Sequence, residues 1–244
     1  MAVKEVEKRV LKAIRFFWRT RGSQASKQRK SGRSDQGARA SVTGGAQMDG
    51  FTALLCALIE EAGIEPEHIF RKKTLELPGF FRPTKEWDVL VVRDEQLIAA
   101  IEVKSQVGPS FGNNFNNRTE EAMGSALDLW TAFREGAFNR TIRPWLGYLF
   151  LLEDCDRSRS PVKVREPHFE VFPEFDGASY AKRYELFCRR LVRERHYSAT
   201  TFLMSPRDRG LDGVFSEPAD DLTFNLFAKS LSAHVAAYAD GGKD

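Results

Sequence analysis

Two nearly continuous apolar runs stand close together in the middle of the chain, at Val89–Val92 and Leu97–Val103. Their length, and the short charged stretch between them, predict a β-hairpin whose strands are buried on both faces. Three charged residues, Asp88, Glu102 and Lys104, lie inside or beside these runs. Charged groups are rarely buried without a partner or a metal. The hairpin is therefore the first candidate for a chemical site.

The register of the hairpin decides whether these charges meet. Successive side chains on a strand point to opposite faces, so Glu102 and Lys104 share one face. With a three-residue loop at Asp94–Gln96, Asp88 pairs with Glu102, and directly opposite Cβ atoms lie about 4.5–5.5 Å apart. A two-residue turn would shift the register by one residue and break this arrangement. The predicted site thus depends on the length of the loop.

Two carboxylates at that distance repel each other unless a positive charge neutralises them. Mg²⁺ prefers oxygen ligands and is often bound by one or two carboxylates together with phosphate and water. Such a metal polarises a phosphate, and the adjacent Lys104 would position or deprotonate the attacking water. The pattern favours a metal-dependent phosphodiesterase. The alternative is a hairpin whose end charges are only solvated or paired.

The remaining pattern predicts an α/β fold in one domain of 244 residues, with a central mixed β-sheet flanked by helices. A strand, a helix and a second strand after the hairpin predict a parallel pairing beside it. Apolar residues at helical spacing predict helices over Val3–Arg19, Gly50–Ala62, Thr119–Ala137, Ser179–Arg195 and Leu222–Tyr238. Apolar runs predict further strands over Phe70–Leu77, Trp145–Leu152 and Ala199–Met204.

Asp88, followed fourteen residues later by Glu102-Val103-Lys104, resembles the PD-(D/E)xK nuclease signature, with Trp87 where the family often has proline. The resemblance implies a restriction-endonuclease-like core. It also implies that Asp88 and Glu102 ligate Mg²⁺ with the backbone carbonyl of Val103, and that Lys104 completes the catalytic set. This short motif alone has low specificity, because its elements often occur together by chance.

Longer stretches are more specific. Val107–Trp130 and Gly45–Phe51 resemble the XhoI family of type II restriction endonucleases, and the resemblance extends over nearly the whole chain. It implies a homodimer that cuts double-stranded DNA at the palindrome CTCGAG, leaving 5′-phosphate ends and 5′ overhangs. It further implies a restriction-modification system, in which a methyltransferase acts on the same site without implied contact with this chain.

The segment Thr20–Ala46 is rich in Gly, Ser, Gln and Arg and has almost no large apolar residue, which predicts a flexible basic arm. Such an arm either binds phosphates by counterion release or serves as a solvated linker. Its candidate DNA contacts are Lys27, Arg29, Lys30 and Arg33.

A loop is predicted at Gly108–Asn117, directly after the catalytic strand. Asparagine bridges adenine and arginine bridges guanine in the major groove, so its polar side chains are candidate base readers. The alternative is an Asn-rich turn without contact to DNA. The candidates are Asn113, Asn114, Asn116, Asn117 and Arg118, with Arg207 and Arg209 as alternative guanine readers.

Related nucleases often add an acid from the helix that precedes the hairpin. Glu60 or Glu61 would fill that role here, although acids on a helix surface are more often simply solvated.

Several functional classes are not favoured. Three scattered cysteines give neither a disulfide framework nor a zinc motif, and no apolar run is long enough for a membrane span, so a bacterial cytoplasmic enzyme is expected. No phosphate-binding glycine motif is present, and the net charge is only +3. Two alternatives to a restriction enzyme stay open: a structure-selective DNA repair nuclease and a non-catalytic DNA-binding module.

Overall fold

A computed structural model describes residues 3–30, 45–139 and 142–239. Its centre is a five-stranded mixed sheet in the order β1-β4-β5-β6-β7, with β1, β4 and β5 antiparallel and β5, β6 and β7 parallel. The strands of this sheet are β1 Ile69–Phe70, β4 Val89–Arg93, β5 Gln96–Gln106, β6 Trp145–Glu153 and β7 Ala199–Ser205. The predicted mixed sheet, with a parallel strand beside the hairpin, is confirmed. A separate two-stranded sheet pairs β2 Glu76–Pro78 with β3 Thr84–Glu86.

Helices cover both faces of the main sheet. They are α1 Val3–Lys30, α2 Asp49–Glu61, α3 Phe111–Arg134, α4 Asp156–Arg159, α5 Tyr180–Arg193 and α6 Phe224–Ala236. One apolar core holds α1, α2 and α6 against the face that carries Ile101 and Val103. The other core holds α3 and α5 against the opposite face, which also carries Glu102 and Lys104 by strand alternation. Within the described ranges, no helix is long and apolar enough to cross a membrane.

The hairpin turn differs from the prediction. Arg93 pairs with Gln96, so the turn contains only Asp94 and Glu95. Both have positive φ (49° and 61°), as the two central residues of a type I′ hairpin turn require. The three-residue loop was therefore wrong. The expected register at the other end of the hairpin is nevertheless present, because the pairing shifts by one residue between Val91 and Val92.

The shift is a β-bulge at Ile98. Val92 pairs with Leu97 and Val91 with Ala99, so Ile98 is the extra residue on β5. His234 of α6 hydrogen bonds through Nε2 to the Ile98 carbonyl at 3.1 Å, so the ring donates there and satisfies the bulged backbone. Beyond the bulge Val89 pairs with Ile101, and the Asp88 amide donates to the Ile101 carbonyl at 3.1 Å. Asp88 thus lies one step from Ile101, beside Glu102.

Helix α1 continues eleven residues past its predicted end, to Lys30. The prediction of an unfolded arm from Thr20 was wrong over this part. Low hydrophobicity alone suggests a lack of structure, but Arg, Gln, Lys and Ala are good helix formers. The helix is also anchored just before the extension, because the Trp18 indole N–H donates to the buried Ser205 hydroxyl at 2.9 Å.

Two further boundaries differ from the predictions. The Asn-rich stretch is not a loop, because α3 begins at Phe111 rather than at Thr119. Phe111 and Phe115 pack on Tyr180 of α5, which extends the apolar stripe of α3 toward its N-terminus. The strand predicted over Phe70–Leu77 is divided between the two sheets, with Thr74 at a positive φ of 54° between the parts.

Candidate active site

Strand β5 extends beyond the first residue of β4, and the candidate residues lie where the pairing of these two strands ends. Asp88 precedes β4, whereas Glu102 and Lys104 lie on β5. The Val103 amide donates a 2.7 Å hydrogen bond to Asp88 Oδ2, so the Asp88 side chain takes the position of the next backbone acceptor. The structure therefore brings Asp88, Glu102 and Lys104 together, as their spacing predicted.

Lys104 lies between the two carboxylates. Its Nζ is 3.1 Å from Glu102 Oε1 and 3.4 Å from Asp88 Oδ2. Glu102 is only 2% exposed, whereas the Asp88 side chain is 36% exposed. The site thus has one buried and one accessible carboxylate.

Two further partners hold Glu102, and sequence analysis identified neither. Lys85, on β3, places Nζ 3.3 Å from Glu102 Oε1 and lies over the ring of Trp87. The buried Tyr197 hydroxyl lies 3.1 Å from Glu102 Oε2 and 3.1 Å from the Ala122 carbonyl. Strand alternation would place Lys85, three residues before Asp88, on the opposite face, so no local pattern indicated its contact with Glu102.

The electrostatics of the site follow from these contacts. Burial alone would raise the pKa of Glu102, but the charges of Lys104 and Lys85 outweigh it, and the pKa is lowered. Burial would lower the pKa of Lys104, but Glu102 and Asp88 outweigh it, and the pKa is raised. The metal-free site therefore holds an ionised Glu102 and a cationic Lys104.

The donor set suits a hard cation only in part. Among residues 3–30, 45–139 and 142–239, no group of three or more His, Cys, Asp or Glu side chains is arranged to hold a metal. Two carboxylates do converge here. The Val103 carbonyl also points to the β4 side of the sheet, because the N–H and C=O of one strand residue point the same way. Two carboxylates and a carbonyl are a usual protein contribution to an Mg²⁺ site that also binds phosphate and water.

Two clefts meet at Lys104. The first, of about 560 Å³, is lined by Phe81, Arg82, Lys85 and Glu102 together with part of α3. The second, of about 280 Å³, is lined by Asp88, Val103, the Gly108–Ser110 loop, Gln47 and Arg21. Lys104 and Arg118 border both clefts. An extended ligand that fills both clefts would pass directly over the charged cluster.

The model of the family described as "Restriction endonuclease XhoI" matches residues 27–217. The chain belongs to this XhoI family.

Curated relatives agree with the XhoI-family assignment. The chain is 57% identical to the type II restriction enzyme BstVI of Geobacillus stearothermophilus over 210 residues, 84% of this chain and 94% of the relative. It is 45% identical to the type II restriction enzyme XhoI of Xanthomonas vasicola over 202 residues, 82% and 81% of the two chains. It is 49% identical to AbrI of Azospirillum brasilense over 166 residues, 68% and 74%. No solved structure matches the chain.

These relatives confirm the predicted family and enzyme class: this XhoI-family protein is a type II restriction endonuclease. They favour neither a repair nuclease nor a non-catalytic module. The family also indicates the ligand of the two clefts. A restriction endonuclease acts on duplex DNA, which is an extended polyanion. The convergence of basic side chains on the two clefts is what such a ligand requires.

In this XhoI-family chain the predicted base readers lie on the first turns of α3, where helical periodicity divides them. Asn114 and Arg118, one turn apart, face the second cleft. Arg118 also donates to Glu121 at 2.6 Å. The exposed face carries the other three, Asn113, Asn116 and Asn117. The structure thus places two of the five in the cleft that Asp88 and Lys104 line, and three on the solvent-facing side of the same helix.

The additional acid expected on α2 is not at the cluster. Glu61 pairs with Arg9 at 2.6 Å. It is the last residue of α2, and at 1.5 Å per residue it lies about 18 Å from the first residue of that helix. Glu60 is exposed beside it. The turn Ala46–Met48, just before α2, reaches the site instead, because Gln47 lines the cleft with Asp88 and Val103. Sequence analysis missed Gln47, although it lies within the family-like stretch Gly45–Phe51.

Gln47 is 7% exposed, and its amide oxygen has no hydrogen-bond partner among the described residues. An unsatisfied buried acceptor costs about 1–3 kcal/mol, so such an atom is usually explained by a water or an ion. Gln47 therefore brings a buried oxygen without a described partner to the cleft that Asp88 lines, whereas neither Glu60 nor Glu61 lines that cleft.

The other predicted DNA contacts are spread over the chain. Arg207 donates from Nε and Nη2 to Glu153, at 2.8 and 3.1 Å, and Arg209 is exposed on the following turn. Lys27, Arg29 and Lys30 belong to the last turns of α1. Arg33 lies outside the described residues.

A cationic residue not among the candidates enters the second cleft from the extension of α1. Burial, and then the charge of Arg207, lower the pKa of Arg21. The charge of Glu153, which holds Arg207, partly offsets that repulsion. Arg21 therefore adds one guanidinium group, a group that binds phosphate well, to the second cleft.

Proposed function

We propose that this XhoI-family protein is a homodimeric, Mg²⁺-dependent enzyme that cleaves duplex DNA at CTCGAG and leaves 5′-phosphate ends with 5′ overhangs. The observation that carries the chemistry is the convergence of Asp88 and Glu102 on Lys104 at the junction of two clefts. The recognition site and the stagger of the cuts follow from the family resemblance. A palindrome suits a two-fold dimer, because each subunit then reads one half-site.

Asp88 and Glu102, with the Val103 carbonyl, would hold the Mg²⁺. When bound, the ion supplies Lewis-acid polarisation of the scissile phosphate. Gln47 would contribute its unsatisfied amide oxygen to the ion or to a water beside it. Lys85 and Tyr197 hold Glu102 in the orientation that the site needs.

Lys104 would act as a cation. The two carboxylates raise its pKa, so the ammonium orients the attacking water and stabilises the negative charge that develops on the phosphate. The water oxygen forms a bond to phosphorus, and the bond from phosphorus to the 3′ oxygen breaks. The water loses a proton to solvent, and the 3′ oxygen takes one up, which leaves a 5′-phosphate and a 3′-hydroxyl.

Arg21, Arg118 and the side chains of Asn114 and Arg207 would bind the duplex on either side of the cut. The protein would act in the bacterial cytoplasm as the nuclease of a restriction-modification system, whose methyltransferase modifies the same site.

The test is digestion of a plasmid of known sequence, with and without Mg²⁺, with the cut ends mapped to the base. Discrete Mg²⁺-dependent cuts at CTCGAG support the proposal. Asp88→Asn and Glu102→Gln should abolish cutting and keep duplex binding in a gel-shift assay. Asp94→Asn, in the turn of the same hairpin, is the matched control and should cut normally, because asparagine suits its positive φ. Discrete cuts at another sequence would overturn the site, and undiminished cutting by Asp88→Asn would overturn the assignment of residues.

A further inference from the structure

The loop of residues 79–83 joins β2 to β3 beside the first cleft and carries two exposed aromatic rings. Phe80 is 51% exposed and Phe81 is 66% exposed. Their rings meet edge to face, with centroids 5.0 Å apart. Phe81 lines the same cleft as Glu102 and Lys104. A contiguous exposed apolar patch of this kind marks an interaction surface more often than a single exposed residue does.

A buried charge fixes this loop in place. Asp128, on α3, is 3% exposed. Its carboxylate accepts the backbone N–H of Phe80 at 2.7 Å, the backbone N–H of Phe81 at 2.8 Å and the Arg82 Nε–H at 2.7 Å. Burying a carboxylate is unfavourable unless it is paired and hydrogen-bonded, and here all three partners belong to the exposed loop. The rings are therefore held toward solvent before any partner binds, which lowers the entropy lost on binding.

The close packing around Gly79 supports the same conclusion. A Cβ at Gly79 would meet Asp128 Oδ2 at 2.6 Å and the Arg82 carbonyl at 2.7 Å. The backbone of the loop thus approaches the carboxylate as closely as only glycine allows.

The cleft that Phe81 lines identifies the partner. Four cations, Arg82, Lys85, Lys104 and Arg118, border this cleft, and three of its four acids, Glu102, Glu121 and Asp128, are paired with them. The fourth acid is Glu120. Guanidinium and ammonium groups beside exposed rings suit a ligand with phosphates and flat apolar faces, which duplex DNA, the ligand of a restriction endonuclease, provides. A second copy of the chain has a formal net charge of +3 and carries no phosphates.

We propose that Phe81, supported by Phe80, inserts at a base step beside the scissile phosphate and partly unstacks it. Apolar side chains inserted between base steps unstack and kink the duplex, which brings the backbone closer to the protein. Here the kink would press the phosphate toward Lys104. This inference rests on the proposed cleavage of duplex DNA in this cleft.

The test uses full-length protein in EDTA, so that the DNA stays intact. Duplexes carrying CTCGAG have 2-aminopurine in turn at each adenine position in and beside the site. Unstacking increases the fluorescence of 2-aminopurine. The wild-type protein should increase it at one step in each half-site, and Phe81→Ala should lose the increase. Phe81→Ala should also weaken binding, measured by anisotropy, by about 5- to 100-fold.

Phe169→Ala is the matched control, because Phe169 is 89% exposed and lines neither cleft. It should keep both the fluorescence change and the affinity. Asp128→Asn keeps the rings but weakens the anchor of the loop, so the fluorescence increase should be smaller than in the wild type. Circular dichroism melts show that each variant is folded.

An equal fluorescence increase with wild type and Phe81→Ala would overturn the inference and leave the proposed function intact. The same holds if Phe81→Ala changes only the monomer–dimer equilibrium in sedimentation, since the rings would then cover a partner subunit. A wild-type protein that neither binds nor cuts the CTCGAG duplex would overturn both proposals.

Discussion

Replacing Lys104 with methionine tests the electrostatics of the candidate site directly. Methionine keeps most of the length of the side chain and removes the charge. Glu102 would stay 2% exposed but would lose the ammonium 3.1 Å from Oε1. Removing one partner of a buried ion pair costs about 3–5 kcal/mol, because the other charge is left uncompensated.

The expected cost for Lys104→Met is smaller, because Glu102 keeps two other partners. Lys85 remains 3.3 Å from Glu102 Oε1, and Tyr197 remains 3.1 Å from Oε2. The loss is then closer to that of one charged hydrogen bond, about 1.5–3 kcal/mol of unfolding free energy at pH 7. Cleavage should fall below detection, since the proposed cation at the phosphate is gone.

The pH dependence follows from the sign of the Glu102 shift. The pKa of folded Glu102 is lowered, despite its burial, by Lys104 and Lys85. The stabilisation is therefore fully present above the unfolded pKa of about 4.3 and is lost as the pH falls through the lower folded pKa. The difference in stability between wild type and Lys104→Met should shrink over the same range.

Urea denaturation in EDTA measures these quantities for wild type, Lys104→Met, Glu102→Gln and the double variant. The coupling energy between the two positions should be about 1.5–3 kcal/mol at pH 7. Lys72→Met, on an exposed loop, is the control for loss of one positive charge. A coupling energy under about 0.5 kcal/mol would refute the account, because independent sites add within that range.

Three further predictions concern the surroundings of the site. His234→Ala leaves the Ile98 carbonyl of the bulge without its donor, so the unfolding free energy should fall by about 1–3 kcal/mol and cleavage should slow; unchanged values in both assays would mean that the bulge holds without His234. Gln47→Leu removes a buried acceptor that has no described partner, so urea denaturation in EDTA should show a change within about 1 kcal/mol, while plasmid cleavage should drop at least about tenfold; normal cleavage would exclude Gln47 from the site. Neutralising the basic residues around the end of α1 should reduce the dependence of DNA affinity on salt, by a slope of about 0.9 for each phosphate that the protein no longer neutralises; an unchanged slope would make the segment a linker. The residues to change to glutamine are Lys27, Arg29, Lys30 and Arg33.

The sequence alone indicated that Glu102 and Lys104 would share a face, because that arrangement depends on local periodicity. The alternation of β5 places Glu102 and Lys104 on one face and Ile101 in the opposite core, whatever the rest of the chain does. The apolar runs likewise indicated the hairpin and the parallel strand beside it. Where sequence analysis failed locally, at the long α1 and the early start of α3, helix propensity and aromatic packing outweighed a polar composition.

The groups that complete the site were decided by contacts between distant parts of the chain. Lys85 reaches Glu102 from a separate sheet, and Tyr197 reaches it from before β7. Gln47 reaches the cleft from the turn that precedes α2. No local pattern encodes these approaches, because they depend on how the layers pack.

The register of the hairpin β4–β5 shows most clearly what the sequence determined and what the tertiary structure decided. From the sequence, Asp88 and Glu102 meet in only one of two possible strand registers. The two-residue turn by itself sets the other register, in which they would not be paired. The bulge at Ile98 restores the productive register, and His234, far away in sequence on α6, satisfies its carbonyl. A bulge leaves backbone groups unpaired within the sheet, so whether it is favourable depends on a donor that only the tertiary structure brings to it.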